Sequence, residues 1–282
     1  MDQAIDVSPW RAELALGFAA HPGANQQVRT VLARRRHQGP LVVQRPFYPE
    51  QDTCHVYLLH PPGGIAGGDQ LTVDIEVDAY AHSLITTPAA NKFYRSDGPL
   101  AIQQQTIRLA SDSRCEWLPQ ETIFFNGCKV RTGTSIQLQT NARFIGWEIL
   151  CLGRPASEDW FLEGACRQHL EVWQDGQPLF IERALLEGGS QVLQAPWGLA
   201  GMAVTGTMII TPADISDLNA VRNTVPARDA ELFSATLINN VMVLRYLGQQ
   251  GEHARQRFTE AWQCVRPSVM GKPACVPRIW NT

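Results

Sequence analysis

Apolar and polar residues alternate along many short stretches of this chain, and this pattern constrains the fold more than any other feature. In residues 71–77 four aliphatic side chains alternate with Thr72, Asp74 and Glu76, and residues 10–18 show a similar alternation. Successive side chains of a strand point to opposite faces, so these runs indicate half-buried strands. Further strand candidates follow at short intervals, at 29–34, 41–45, 83–87, 102–109, 116–118, 135–140, 142–150 and 203–211. The sequence therefore predicts an all-β architecture.

The clearest predicted hairpin has Asp175-Gly176 between two strand patterns. Asp-Gly favours a type I′ turn, because both residues adopt positive φ there. A two-residue loop sets the register, which pairs Leu170 with Ile181 and places Pro178 near the strand start or on an edge. A bulge near Pro178 would slip this register by one residue.

Helical patterns are confined to the C-terminal third. Residues 212–222 predict a short helix capped by Asp214 or Ser216. Residues 251–265 carry an apolar stripe at helical spacing, and Pro267 is expected to end that helix. A hairpin is predicted between the two helices, from strands at 235–238 and 241–247. We expect one domain over 1–282, with 1–9 flexible and with both helices and this hairpin inside 212–267.

Composition narrows the class of protein. The chain has 282 residues, 44% of them hydrophobic, which is enough for one large β domain. Its net charge of −3 gives no electrostatic argument for nucleic acid or an anionic membrane. No apolar run approaches the ~20 residues that span a bilayer, and the N-terminal residues lack signal-peptide character. Seven cysteines without a C-x-x-C pair predict a reduced, cytoplasmic protein.

A glycine-rich segment, residues 60–69, separates two strand patterns. It lacks the Gly-Lys-Ser/Thr ending of a phosphate-binding loop, and a strand rather than a helix follows it, so a nucleotide site is not expected. Glycine and proline give such a loop a specified shape. We therefore interpret the segment as a structural loop that presents the Asp69 carboxylate. Its structural residues are His60, Gly63, Gly64, Gly67 and Gly68.

No catalytic set emerges from the sequence. There is no Gly-x-Ser-x-Gly elbow, no His-Glu-x-x-His motif, and no cysteine beside a plausible histidine base. His60 and Asp69 can be imagined as an acid–base pair, but without a nucleophile or cofactor the pair is weak evidence for a hydrolase. The seven histidines are scattered, so no stable metal site and no permanently bound cofactor are predicted.

Three charged residues lie in unusually apolar strand contexts. Glu148 has apolar neighbours on both sides, Arg154 follows at the end of the same run, and Glu182 lies in a second apolar stretch. Buried charges are costly unless paired or hydrated. One hypothesis is an interior ion pair between Glu148 and Arg154. The other is a wet internal passage lined by these three residues and Asp69, whose carboxylates bind a divalent cation weakly enough to release it.

Aromatic and arginine residues near the C-terminus are candidates for partner contacts. Trp, Tyr and Arg are enriched at interface hot spots. The candidates are Tyr246, Arg278 and Trp280, whereas Trp262 fits the core-facing stripe of its helix.

Seven motifs, in order along residues 10–282, resemble the urease accessory protein family UreD, called UreH in some systems. They are Arg-Pro-Phe-Tyr-Pro at 45–49, His-Pro-Pro-Gly-Gly-Ile-Ala-Gly-Gly-Asp at 60–69, Asn-Lys-Phe-Tyr-Arg-Ser at 91–96, Glu-Trp-Leu-Pro-Gln-Glu-Thr at 116–122, Gly-Trp-Glu-Ile at 146–149 with Leu-Gly-Arg at 152–154, Arg-Tyr-Leu-Gly at 245–248 and Pro-Arg-Ile-Trp at 277–280. One departure is Asn91, where the family more often has threonine.

The resemblance implies a mainly β, elongated, β-helix-like stack of sheets with two α-helices in the C-terminal third. It also implies a non-enzymatic chaperone that joins UreF and the GTPase UreG, docks on apo-urease and passes Ni²⁺ transiently to the urease active site. In such proteins a tunnel has been proposed as the nickel route, at positions matching Asp69, Glu148, Arg154 and Glu182. A scaffold that conducts no metal, or a hydrolase using the 60–69 loop, are the alternatives.

Overall fold

Most of the chain forms β-strands that stack in successive coils, with helices toward the C-terminal end. The computed structural model describes residues 9–22, 28–225 and 228–281, so eight of the nine residues expected to be flexible lie outside the described residues. The strands are β1 (Arg11–Pro22), β2 (Val28–Gln38), β3 (Val42–Val43), β4 (Cys54–Leu59), β5 (Gln70–Val77), β6 (His82–Thr86), β7 (Asn91–Phe93), β8 (Ala101–Leu109), β9 (Arg114–Leu118), β10 (Thr122–Phe124), β11 (Lys129–Leu138), β12 (Arg143–Arg154), β13 (Asp159–Trp160), β14 (Ala165–Gln174), β15 (Gln177–Glu187), β16 (Val204–Thr211), β17 (Leu232–Ile238) and β18 (Val241–Gly248). The helices are α1 (Gln191–Gln194), α2 (Ile215–Thr224) and α3 (Gly251–Met270).

Two sheets face each other across the main core. The first sheet has the order β15-β14-β11-β8-β5-β1-β2, with β14, β11, β8, β5 and β1 parallel. The second has the order β17-β18-β16-β12-β9-β6-β4-β3, with β12, β9, β6 and β4 parallel. Because the chain alternates between the sheets, each coil adds one strand to both. The prediction of a mainly β, β-helix-like stack with two helices in the C-terminal third is confirmed, and α1 adds a third helix of four residues.

A short third wall closes one side of each coil. β7, β10 and the end of β12 form this wall by parallel pairing. The glycine-rich loop occupies the same position in the preceding coil, because Ile65 forms a parallel bridge with Phe93. A Cβ on Gly64 would lie 2.2 Å from the Tyr94 ring, and one on Gly67 would lie 2.1 Å from the Ser96 hydroxyl. These two glycines are therefore required by the close approach of the next coil.

The core follows from the alternation in the sequence. On β1 and β5 every second side chain is buried, as the pattern predicts. These side chains pack between the two sheets, and each fully buried aliphatic side chain stabilises the fold by about 1.5–3 kcal/mol. A second apolar cluster, which includes Trp147 and Trp262, fills the space between the other face of the second sheet and helices α2 and α3.

The predicted register of the β14–β15 hairpin is wrong beyond its first two pairs. Asp175 and Gly176 both have positive φ, as a type I′ turn requires. After Trp173 pairs with Pro178, however, the register shifts, and Leu170 lies opposite Glu182 rather than Ile181. Proline has no N–H to donate to the ladder, which favours a bulge at this point. The shift turns Glu182 toward the interior, because its partner Leu170 is a core residue.

The helices begin as predicted, but α3 does not end at Pro267. Asp214 caps α2 by accepting hydrogen bonds from the N–H groups of Ser216 and Asp217. Helix α3 continues through Pro267 to Met270, and Gly271 ends it with φ 72°. Tertiary packing explains the difference, since Met270 is buried and Arg143 donates a 2.7 Å hydrogen bond to the carbonyl of Val269.

Candidate functional site: an internal polar band

Glu148 lies on the face of β12 that points between the two sheets. Thr134 donates a 2.5 Å hydrogen bond to one carboxylate oxygen, and Gln168 donates a 2.9 Å bond to the other. Burial raises the pKa of Glu148 above its ordinary value; the charge of Glu182 acts in the same direction, while these two hydrogen bonds oppose the rise. Glu148 is thus an interior carboxyl group held by neutral donors.

The hypothesis of an interior Glu148–Arg154 ion pair is wrong. Arg154 is exposed and forms its ion pair with Asp159, at 3.0 Å between Nε and Oδ2. Its guanidinium also lies 4.3 Å from the centre of the Phe125 ring. The reason is local pairing: β12 leaves the interior at its end, and Arg154 lies opposite Asp159 on β13.

Glu182 lies at the far side of the interior, on the edge strand β15. Thr207 donates a 3.1 Å hydrogen bond to its Oε2, and Arg245 forms an ion pair with its Oε1. Thr207 is also directly opposite Glu148 in the β12–β16 pairing, and Arg245 is directly opposite Thr207 in the β16–β18 pairing. Thr207 therefore connects the two carboxylates, since it pairs with Glu148 across neighbouring strands and donates a hydrogen bond to Glu182.

Polar side chains continue across both inner faces near these carboxylates. Gln105, Thr134 and the core residue Leu170 lie opposite one another on β8, β11 and β14, so all three share the inner face of the first sheet. We call the polar band the set Gln103, Gln105, Thr132, Thr134, Glu148, Gln168, Glu182, Thr207 and Arg245. Of this set, only the two glutamates were predicted from the sequence. The polar positions that interrupt apolar alternation on β8 and β11 were an available signal for others.

A cavity of about 340 Å³ lies at the Glu148 end of the polar band. It is lined by Glu148, by glutamine and threonine residues of the band, and by the start of the glycine-rich loop with His60. Glu148 is surrounded by protein but is only half-buried by accessible surface area. Its accessible surface is the part that lines this cavity.

Asp69 closes the glycine-rich loop instead of lining the cavity. Its Oδ1 accepts a 2.9 Å hydrogen bond from the Trp10 N–H, and its Oδ2 accepts one of 2.9 Å from the Ala66 N–H. Through these two hydrogen bonds the carboxylate joins the residue before β1 to the loop and has a structural role. The structure does not bring Asp69 into contact with the other three predicted passage residues.

His60 faces the cavity from the loop. Its buried Nε2 has no hydrogen-bond partner among the described residues. Burial lowers the pKa of His60, and the charge of Asp69 opposes that shift. The unpartnered nitrogen is a feature that the sequence did not reveal, since His60 was predicted only as part of a structural loop.

The predicted partner-contact residues divide between surface and interior. Arg278 is exposed. Trp280 is half-buried, with its ring 5.9 Å from Trp147, and its Nε1–H donates a 2.9 Å hydrogen bond to Thr86. Tyr246 is 2% exposed, so its assignment as an exposed contact residue is wrong. Its position opposite Gly206 on β16 turns the ring into the second apolar cluster.

A buried ionic cluster, which the sequence analysis missed, holds α3 on the second sheet. We call it the Arg266 cluster, and its members are Glu50, His55, His82, Glu116 and Arg266. The guanidinium bonds Glu116 at 2.9 and 3.0 Å and Glu50 at 2.7 and 2.8 Å. Each carboxylate also bonds a histidine, at 2.7 Å for His55 and 2.8 Å for His82. A carboxylate inside the apolar strand β9 was the available signal.

Charge pairing sets the protonation of this cluster. Burial alone would raise the pKa of Glu116, but the hydrogen bond from His82 and the Arg266 guanidinium hold it at about 2. Glu50 has a pKa of about 2 for the same opposing reasons, with His55 and Arg266 as partners. Burial lowers the pKa of His82, against the effect of Glu116.

Among the described residues there is no group of three or more His, Cys, Asp or Glu side chains that would hold a metal ion. The described helices include none that is both long and apolar enough to cross a membrane.

These observations define a β-solenoid-like protein whose interior carries a polar band and a cavity. The sequence matches the family model described as UreD urease accessory protein over residues 11–281. Similar proteins include urease accessory protein UreD of Citrobacter koseri, 45% identical over 277 residues that cover 97% of this chain and 92% of the relative. UreD of Alkalilimnicola ehrlichii is 44% identical over 99% of this chain and 94% of its own length, and UreD of Klebsiella aerogenes is 42% identical over 97% of each chain.

The chain therefore belongs to the UreD family of urease accessory proteins. The resemblance inferred from the seven motifs is confirmed. Membership implies a role in urease maturation, in association with urease and other accessory proteins.

Proposed function

We propose that this protein joins UreF and UreG in a complex that docks on apo-urease, and that Ni²⁺ moves through the polar band on its way to the urease active site. The observation that supports this proposal best is Glu148. An interior carboxyl group with neutral hydrogen-bond donors is costly for a fold unless it serves a purpose beyond stability.

The chemistry of the polar band suits a cation in transit. Imidazole and carboxylate groups are ligands for divalent transition metals. His60 and Glu148 offer one of each along the cavity, and the amide and hydroxyl oxygens between them are weak, neutral ligands. A route with few charged ligands binds a cation weakly. Weak binding is required if the cation is to be released at the far end.

Proton exchange at Glu148 fits the same role. Burial raises the pKa of Glu148, which makes its ionised form less favourable when no cation is near. A cation favours the ionised form, so cation binding and proton release at Glu148 are linked. Glu182 and Arg245 then lie where the band meets the edge of the two sheets.

The test uses cells that produce urease with its full set of accessory proteins. The variants are Glu148→Gln and Glu182→Gln, and the matched control is Glu187→Gln, an exposed carboxylate on the same strand as Glu182. Two quantities are measured: co-purification with UreF, UreG and apo-urease, and the nickel content and activity of urease. We expect intact complexes with reduced nickel content for the two band variants, and normal nickel content for the control.

Full nickel loading in both band variants, with normal complexes, would show that the protein acts as a scaffold and not as a conduit. The hydrolase alternative is separated by His60→Ala, which would abolish a turnover that the isolated protein itself performs. The structural role of Asp69 argues against the hydrolase alternative, since each of its carboxylate oxygens accepts a hydrogen bond from a backbone N–H group.

A further inference from the structure

Three arginines lie together on the outer face of the first sheet. Arg131 on β11 is directly opposite Arg167 on β14, and both side chains are exposed. In the next row of the same face, His169 on β14 lies opposite the exposed Arg183 on β15. Arg183 Nε donates a 3.3 Å hydrogen bond to His169 Nε2. We call Arg131, Arg167, His169 and Arg183 the basic patch.

The basic patch lacks internal charge compensation. Within the described residues none of the three arginines forms an ion pair, and two carboxylates lie on this face nearby: Glu171, 3.2 Å from His169, and Glu187, two residues beyond Leu185 on β15. Like charges directly opposite on neighbouring strands destabilise a sheet. Elsewhere on the same face, Arg34 and Arg108 do have carboxylate partners. The patch therefore carries a cost that an external anionic group would relieve.

Apolar side chains flank the patch on β15. Ile181 and Leu185 lie two residues before and after Arg183 on the same face, and they are 44% and 45% exposed. Apolar residues around an arginine are typical of protein contact surfaces, where charged groups are otherwise depleted.

The backbone of β15 is also available. Among the described strands, β15 pairs only with β14, so it is the edge of the first sheet. Alternate residues of this strand present unpaired N–H and C=O groups along its free side, except that Pro178 has no N–H. An extended segment of a partner adds to such an edge through main-chain hydrogen bonds, and alternate side chains then provide specificity.

We propose that β15 and the basic patch form a docking site for an extended acidic segment of a partner protein, added as a further strand of the first sheet. Side chains directly opposite each other lie about 5 Å apart across a strand pair. The partner residue opposite Arg183 is therefore acidic, and the residues two positions before and after it are apolar, to match Leu185 and Ile181. The expected sequence pattern is apolar-x-acidic-x-apolar.

The observations favour a polypeptide over a nucleic acid. The patch contains only three arginines, whereas a nucleic-acid site follows a longer stretch of phosphate backbone. The apolar residues that flank the patch, Ile181 and Leu185, can pack against apolar side chains of a peptide but not against phosphate groups. The site is also separate from the nickel route, since Arg183 faces outward and Glu182 faces inward on the same strand.

The test measures peptide binding to the full-length protein by fluorescence anisotropy. One labelled peptide contains Ile-Thr-Glu-Thr-Ile in an uncharged Ser-Gly frame with blocked ends, and a matched peptide has Lys in place of Glu. We expect the acidic peptide to bind and the lysine peptide to bind at least about tenfold more weakly, with the difference shrinking as salt rises. An acidic peptide N-methylated at alternate residues should also lose binding, because it cannot complete the ladder.

Variants locate the site. Arg183→Ser should weaken the acidic peptide about tenfold, and Arg167→Ser should weaken it less, because Arg167 lies on β14, one strand farther from the added segment. The control is Arg36→Ser, which removes an exposed arginine from β2 at the opposite edge of the sheet. The proposal is overturned if the two peptides bind alike or not at all, if Arg36→Ser causes the same loss as Arg183→Ser, or if a single-stranded oligonucleotide binds more tightly than the acidic peptide.

Discussion

Replacing Arg266 with methionine should destabilise this protein strongly, because it removes the guanidinium that bridges the carboxylates of Glu50 and Glu116. Arg266 and Glu116 are both 0% exposed, and Arg266 also bonds Glu50. Removing one partner of a buried ion pair costs about 3–5 kcal/mol, since the other charge is left uncompensated. The pKa of Glu116 agrees in direction, since His82 and Arg266 together hold it at about 2 against the effect of burial.

The pH dependence of this loss follows from the direction of each pKa shift. In the natural protein the folded-state pKa of Glu116 lies below its unfolded value, so its contribution is present above about pH 4.5 and is lost as the pH falls toward 2. In Arg266→Met, burial acts without the guanidinium and raises the pKa values of Glu50 and Glu116. The variant should therefore be most destabilised at neutral pH, and its difference from the natural protein should narrow toward pH 4.

Urea unfolding followed by tryptophan fluorescence at pH 7 and pH 4 measures both quantities. We expect a loss of about 4 kcal/mol at pH 7 and a clearly smaller loss at pH 4. The matched control is Arg255→Met, on the same helix, which forms no ion pair within the described residues and should change stability by less than about 0.5 kcal/mol. A loss at pH 7 below about 1 kcal/mol, the level of an exposed ion pair, or a loss independent of pH, would contradict this prediction.

Two further predictions concern the interior and the glycine-rich loop. Glu148→Gln should raise the free energy of unfolding at pH 7 and raise it less at pH 4, because a raised folded-state pKa makes stability fall as the pH rises through it. Urea titrations at both pH values check this, and a loss at pH 7 would contradict it. Gly67→Ala should cost about 1–3 kcal/mol in thermal unfolding, since its Cβ would lie 2.1 Å from Ser96 Oγ. Gly98→Ala, whose Cβ meets nothing within 4 Å, is the control and should change stability by less than about 0.5 kcal/mol.

The sequence predicted those elements whose signals are local. Alternating patterns identified most of the strands, although not the short β7, β10 and β13, Asp214 identified the start of α2, and the hairpin predicted from 235–238 and 241–247 is β17–β18. The two errors in the predicted register and helix bounds both involve a proline whose effect depends on tertiary packing. Pro178 caused a bulge that a two-residue turn alone does not predict, and Pro267 is tolerated because packing holds the last turn of α3.

The candidate site was only partly predictable, because its contacts also depend on tertiary structure. Glu148 was recognisable because a charge in an apolar run is unusual, but its partners Thr134 and Gln168 come from strands 14 and 20 residues away. Arg154, six residues along the same strand, was the nearer partner in sequence, yet it lies beyond the interior and pairs with Asp159. Hydrogen-bond partners across stacked coils follow from the pairing of distant strands, which alternation alone does not specify.

The Arg266 cluster also sets the order in which this protein can complete its fold during synthesis. Glu50 and Arg266 are 216 residues apart, and Asp52 bonds Lys272 across 220 residues. The ribosome therefore releases every coil of the stack before α3 is available to cover the second sheet. Until then Glu50, Glu116 and the apolar surface beneath α3 face solvent on a nascent chain whose contacts are mostly distant in sequence, a condition associated with slow folding and aggregation. A truncation before α3 should consequently need chaperone assistance to remain in solution.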